Sequence, residues 1–156
     1  MKSLPSVALY LSEGKSVIAS RHANGDGGFL YEQETPIVLV NYSAADLGGA
    51  VKSAFLEFSI RETNLRDYKK TDWPAFRASG SKSVKAFEKE FIAIRISYLN
   101  PSGAVARAEI PLEEESGFAI SVVFNPFLED EKVGKYLEAL ANKFRQFLRS
   151  QESMPR

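Results

Sequence analysis

The chain has no cysteine, which excludes a disulfide framework, thiolate chemistry and a cysteine-ligated zinc site. It has a single histidine, His22, and a single tryptophan, Trp73. It also lacks an excess charge of either sign, because 20 Lys+Arg face 20 Asp+Glu. Non-specific nucleic-acid binding draws on a basic excess to release counterions, so a generally basic surface is excluded, though local patches are not. No apolar run nears the ~20 residues that a membrane span needs. The early run Val7–Leu11 is shorter than the apolar core of a signal peptide, and Glu13 follows it closely. The expected compartment is the cytoplasm. What is present is ordinary for a globular chain: 156 residues, 44% apolar and 26% charged, enough for one domain with a proper core. That domain is expected over 1–150, with 151–156 a frayed tail.

Taken in order, residues 6–12 and 16–21 are rich in Val, Leu, Ile and Tyr and flank Glu13-Gly14-Lys15, which predicts a hairpin. His22-Ala-Asn-Gly-Asp-Gly-Gly28 follows, dense in residues that tolerate positive φ. Phe29–Tyr31 can form a short strand, and Ile37–Val40 reads as a buried one. Ser43 with Asp46 three residues on has capping-box spacing, and Leu47, Ala50, Val51, Ala54, Phe55 and Phe58 recur at helical intervals. The spacing predicts a helix over 44–61. Gly48 and Gly49 in its first turns cost about 1 kcal/mol each relative to Ala, so they either permit close approach to the sheet or delay the helix start.

The charged connection 61–72 leads to Trp73-Pro-Ala-Phe76, where Asp72 is placed to cap a helix over 73–79 that Ser79-Gly80 stops. Ser81 or Ser83 caps a second helix over 82–90. From Phe91 the period changes: Ile92, Ile94 and Ile96 alternate with Ala93, Arg95 and Ser97. Turns at Asn100–Gly103 and Glu113–Gly117 divide three strands of a meander, ending at Phe124. A helix over 128–149 carries a full apolar stripe, acids at its start and bases at its end. The fold class is therefore α+β: a mainly antiparallel sheet of five to seven strands, with a long C-terminal helix and two or three shorter helices packed on it.

No constellation specifies a reaction, and neither a cofactor nor a metal is expected. His22 beside the glycine-rich loop could act as a general base oriented by Asp26, but a second catalytic group is missing and a hairpin residue is the simpler reading. Gly25–Gly28 lacks the Lys-Ser/Thr pair of a phosphate loop and the spacing of a dinucleotide fingerprint. Asn24, Asp26 and Glu32 do not follow EF-hand spacing. Residues 61–95 hold nine Lys/Arg against five Asp/Glu, interleaved with Tyr68, Trp73 and Phe76, which would suit a nucleic-acid adaptor. The aromatics suit core anchors better. Glu113, Glu114, Glu115, Glu129, Asp130 and Glu131 are six acids between Pro111 and Glu131 with no base among them. They are either an acidic surface for a basic partner or a solvated turn plus ordinary helix N-terminal acids, and composition does not separate the two.

Trp73-Pro-Ala-Phe76, then Ser79-Gly-Ser-Lys-Ser-Val-Lys-Ala-Phe87-Glu and an alternating strand, resembles the CdiI-type immunity proteins of bacterial contact-dependent growth inhibition systems. Ser20-Arg-His-Ala-Asn-Gly-Asp-Gly-Gly-Phe29 is similar to members of the same family. The resemblance implies a non-enzymatic cytoplasmic protein. Its implied partner is the C-terminal toxin domain of a cognate CdiA-type effector, commonly a nuclease, bound one to one, with no direct contact to nucleic acid or membrane. Many nuclease inhibitors are strongly acidic, whereas this chain is neutral. Toxin-binding residues are then expected on a polarised face, with Glu113, Glu114, Glu115, Glu129, Asp130 and Glu131 as candidates.

Trp73 is expected to be a core anchor. Its emission in the folded protein should be blue-shifted relative to the unfolded chain; a folded-state spectrum like that of tryptophan in water would remove it from the core.

Overall fold

The structure, a computed structural model, describes residues 4–25, 30–61, 72–111 and 117–152. The class is α+β, as the periodicity predicts. The elements run β1 (Ser6–Ser12), β2 (Lys15–Asn24), β3 (Leu30–Glu32), β4 (Ile37–Val40), α1 (Ala44–Leu56), β5 (Ser59–Arg61), α2 (Pro74–Ser79), α3 (Val84–Glu90), β6 (Ile92–Asn100), β7 (Gly103–Pro111), β8 (Gly117–Phe124) and α4 (Asp130–Glu152). The sheet order is β3-β2-β1-β6-β7-β8, with β4 and β5 also paired to β2. The eight strands among the described residues exceed the five to seven expected by β5, three residues that the sequence reading places in the first helix.

Every residue of β1 is buried, since it lies between β2 and β6 with helices over both faces. That is why it reads as a continuous run. One face of the sheet carries Leu9, Ile18, Ile94, Ile96, Ala106 and Ala108, covered by α1 and α4. Ala104, Ala106 and Ala108 are fully buried on β7, and their small side chains let α4 lie close over that strand. On the opposite face, Ala8, Tyr10, Val17 and Ala19 meet α2 and α3 through Ala75, Phe87 and Phe91, with Trp73 and Phe76 partly buried against them. Phe87 is the hub of this second cluster, its ring centroid 4.9 Å from Trp73, 5.1 Å from Tyr10 and 4.9 Å from Phe91.

Three local expectations are corrected. The first helix ends at Leu56, capped by Glu57, not at 61. Its apolar stripe runs out at Phe58, and Ser59–Arg61 instead pairs parallel with His22–Asn24 of β2. Gly48 approaches α4 and not the sheet: a Cβ there would stand 1.9 Å from the Asp130 carbonyl oxygen. Gly134 of α4 does the reciprocal thing, its Cβ position lying 1.8 Å from the Ala44 carbonyl oxygen. Finally, Asp72 does not cap α2, because the N-cap position is Trp73, which makes no side-chain cap bond. The Ser43–Asp46 capping box and the Ser83 cap of α3 are present as expected.

The two glycines of α1 should behave oppositely. Gly48→Ala drives a methyl into backbone and should cost about 1–3 kcal/mol or more. Gly49→Ala meets only the Asp130 carboxylate, at 3.1 Å, and gains about 1 kcal/mol of helix propensity, so it should be near neutral. Urea midpoints of the two variants check this, and equal losses would contradict the crossing geometry.

Candidate functional site

The Glu32 side chain, at the end of β3, is buried. Its carboxylate accepts from the Tyr10 hydroxyl at 2.5 Å, the Trp73 Nε1–H at 2.8 Å and the Ala75 backbone N–H at 3.1 Å. The last is in the first turn of α2, so a carboxylate 43 residues earlier does the capping that Asp72 was expected to do. At the other end of α2, Gly80 takes the left-handed cap (φ 74°) and Lys15 Nζ donates to the Ser79 carbonyl at 2.5 Å. A six-residue helix is too short to persist alone. Here an anion at its N-terminus and a cation at its C-terminus, both from the sheet, hold it in place. Burial, and then the charge and hydrogen bond of Glu32, push the Tyr10 phenol far above its ordinary range, with Arg21 opposing.

This anchoring covers only the β1–β2 part of the second face. Across β6, β7 and β8 the same face has no helix over it among the described residues. The register sets a row of Ala8, Arg95, Arg107 and Ser121 on β1, β6, β7 and β8. Arg95 and Arg107 are thus directly opposed across β6–β7, both exposed. They share one carboxylate: Glu109 lies 3.5 Å from Arg95 Nη2 and 3.0 Å from Arg107 Nε. A groove of about 250 Å³ runs from this array to Ala8, Tyr10 and Arg21 at the covered boundary. Arg21 donates to Ser6 Oγ at 3.4 Å, and Ser97 Oγ to the same atom at 3.4 Å.

The residues singled out from sequence lie elsewhere. Glu113, Glu114 and Glu115, like Asp26, fall outside the described residues. Glu129, Asp130 and Glu131 are exposed at the start of α4, the helix that covers the other face of the sheet. Two of these acids are answered locally: Asp130 pairs with Lys52 at 2.7 Å and Glu131 with Lys135 at 2.7 Å. The hydrogen bond and charge of Lys135 hold the Glu131 carboxyl below its ordinary range. His22 is buried within β2 beside Tyr31. Of the basic 61–95 stretch, 62–71 is outside the described residues, and Phe87 and Phe91 are core. Among the described residues no group of three His/Cys/Asp/Glu could hold a metal. No helix among them is long and apolar enough to cross a membrane. Sequence reasoning weighed Glu32 only as a cation ligand, missed Arg107 and Glu109, and placed Arg95 only as the polar side of a strand.

No protein-family profile matches the chain, and no curated protein matches it in sequence. Solved structures share the fold. A protein of unknown function from Neisseria meningitidis superposes with a TM-score of 0.66 at 16% identity, covering 89% of this chain and 94% of that one. A chain of the CdiA-CT/CdiI toxin and immunity complex from Yersinia pseudotuberculosis superposes with a TM-score of 0.64 at 12% identity, covering 88% of this chain and 95% of that one.

Glu32→Ala should orphan three donors and cost about 3 kcal/mol or more, with Glu32→Gln in between because an amide keeps one acceptor. Stability should also depend on Tyr10 in alkali. Above about pH 10 an unfolded-state tyrosine sheds a proton that folded Tyr10 keeps, so its contribution, complete below that pH, is lost as pH rises toward the raised folded value. Denaturation midpoints against pH should fall less steeply above pH ~10 in Tyr10→Phe. An identical slope would place Tyr10's phenol in solvent.

Proposed function

We propose that this chain is a cytoplasmic immunity protein that neutralises the C-terminal toxin domain of a contact-dependent growth inhibition effector by forming a one-to-one complex with it. The observation that carries the reading is the near end-to-end fold likeness to a chain of a toxin and immunity complex. It is joined by the independent resemblance of the Trp73–Glu88 stretch to the same kind of protein. A nuclease is the toxin class the reading favours, and no catalysis by this chain is required. The rival enzyme reading finds little support, because His22 is 2% exposed and sits inside a strand pairing. Of the aromatics the adaptor reading draws on, Tyr68 lies outside the described residues, while Trp73 donates to the buried Glu32 and both Trp73 and Phe76 pack edge-on against Phe87. The acids Glu113, Glu114, Glu115, Glu129, Asp130 and Glu131 remain proposed contacts for basic parts of the toxin.

The test is co-purification with the toxin domain encoded beside this chain, and survival of cells that express that toxin. A stable complex and protection are expected. No complex at micromolar concentration and no protection would end the reading. Reversing Glu113, Glu114 and Glu115 to Lys should slow association at low salt by about tenfold or more if they steer docking, and an unchanged rate would remove them from the interface.

A further inference from the structure

We propose that the uncovered face of β6–β8 is a docking surface for an acidic segment of the protein partner, read chiefly by Arg95 and Arg107. The inference rests on the immunity reading and adds to it the location and charge sign of a second contact.

The argument starts from a cost. Like charges placed directly opposite on neighbouring strands destabilise a sheet, and Arg95 and Arg107 occupy such a pair. Glu109 is shared between them, so two cations meet one anion and one positive charge is left over. Exposed pairs of this kind return only about 0–1 kcal/mol. Most neighbouring positions on this face are small, Ala93 and Ser97 on β6 and Ala119 and Ser121 on β8, with Val105 and the exposed Val123 at the far end of the row. They leave the guanidiniums standing above a low floor, with no helix against them among the described residues. An arriving carboxylate would find planar, always-charged donors held on rigid strands, the arrangement that favours bidentate recognition. The groove beside them ends at the wall formed where α2 and α3 cover Tyr10, which gives an extended segment a boundary on one side.

The occupant is an acidic protein segment and not nucleic acid. Nucleic-acid affinity grows with the number of phosphates neutralised, and here the exposed Arg95–Arg107–Glu109 cluster carries a surplus of one charge, with only Arg21 as a further cation along the groove, on a chain whose total is zero. This surface also differs in place and sign from the acids of α4, which lie over the other face of the sheet and are paired with Lys52 and Lys135.

Titration calorimetry of the toxin domain encoded beside this chain onto three proteins separates the outcomes. Arg95→Glu/Arg107→Glu should weaken binding at least 100-fold, and the milder Arg95→Gln/Arg107→Gln at least tenfold, with unchanged circular dichroism. Lys143→Glu, exposed toward the C-terminal end of α4 and away from the proposed acidic contacts, should change it less than threefold. If the wild-type chain binds and both arginine variants bind equally well, the docking surface is wrong while the immunity reading stands. If the wild-type chain does not bind, both fall. Capture of a labelled single-stranded RNA that is lost in the same two variants would also overturn the proposal, because the arginines would then serve phosphate.

Discussion

One buried carboxylate decides how the sheet is covered. Glu32 sits at the end of a three-residue strand and receives three donors from three different places in the chain. It holds Tyr10 of the central strand, the indole of Trp73 and the first turn of α2 at one point. A buried carboxylate is expensive unless its lone pairs are satisfied, so once desolvated it fixes all three groups together. Lys15 at the opposite end of α2 completes the arrangement. The short helix is therefore a lid fastened by the sheet, with its dipole matched at both ends.

Because the fastening lies over β1 and β2, the second layer of helix extends only so far. The other face is closed continuously by α1 and α4, which approach so nearly that two glycines face carbonyl oxygens across the crossing. The result is an asymmetric domain: one face is covered by α1 and α4, while the opposite face is covered over half its width and, among the described residues, open over the rest, where Arg95, Arg107 and Glu109 share the surface with the exposed Val123. The proposed inhibitory role would call for a rigid surface with a defined pattern of charge, and paired strands supply that rigidity better than loops do.

Much of the architecture was legible in the sequence because it rests on periodicity. The 3.6-residue stripe of α4, the alternation of β6 and the capping box at Ser43 are local signals, and each element formed where its pattern stands. The misses have a common cause in contacts between distant residues. Glu32 resembles any acid after a short strand until Ala75 is brought against it. The fate of Ser59–Arg61 depends on the vacant edge of β2, not on its own composition. The Arg95–Arg107 pairing depends on a register that shifts between Tyr98 and Asn100: counting back from Asn100↔Gly103 would set Arg95 against Ala108, and only the irregularity brings the arginines together. The even-numbered isoleucines of β6 and the even-numbered alanines of β7 did carry that parity, but a turn-based count hides it. The acidic run was conspicuous in the sequence, yet two of its described acids are paired, Glu131 with Lys135 one turn on and Asp130 with Lys52 of α1, a partner the linear pattern does not reveal.

On the proposed reading the half-covered sheet is a face that meets the partner, along with the acids at the start of α4. A structure of the chain bound to the toxin domain that the proposed reading assigns to it tests this most directly. The account predicts toxin carboxylates within hydrogen-bond distance of the Arg95 and Arg107 guanidiniums, with β6–β8 beneath the toxin. A complex that leaves both arginines facing water would contradict it.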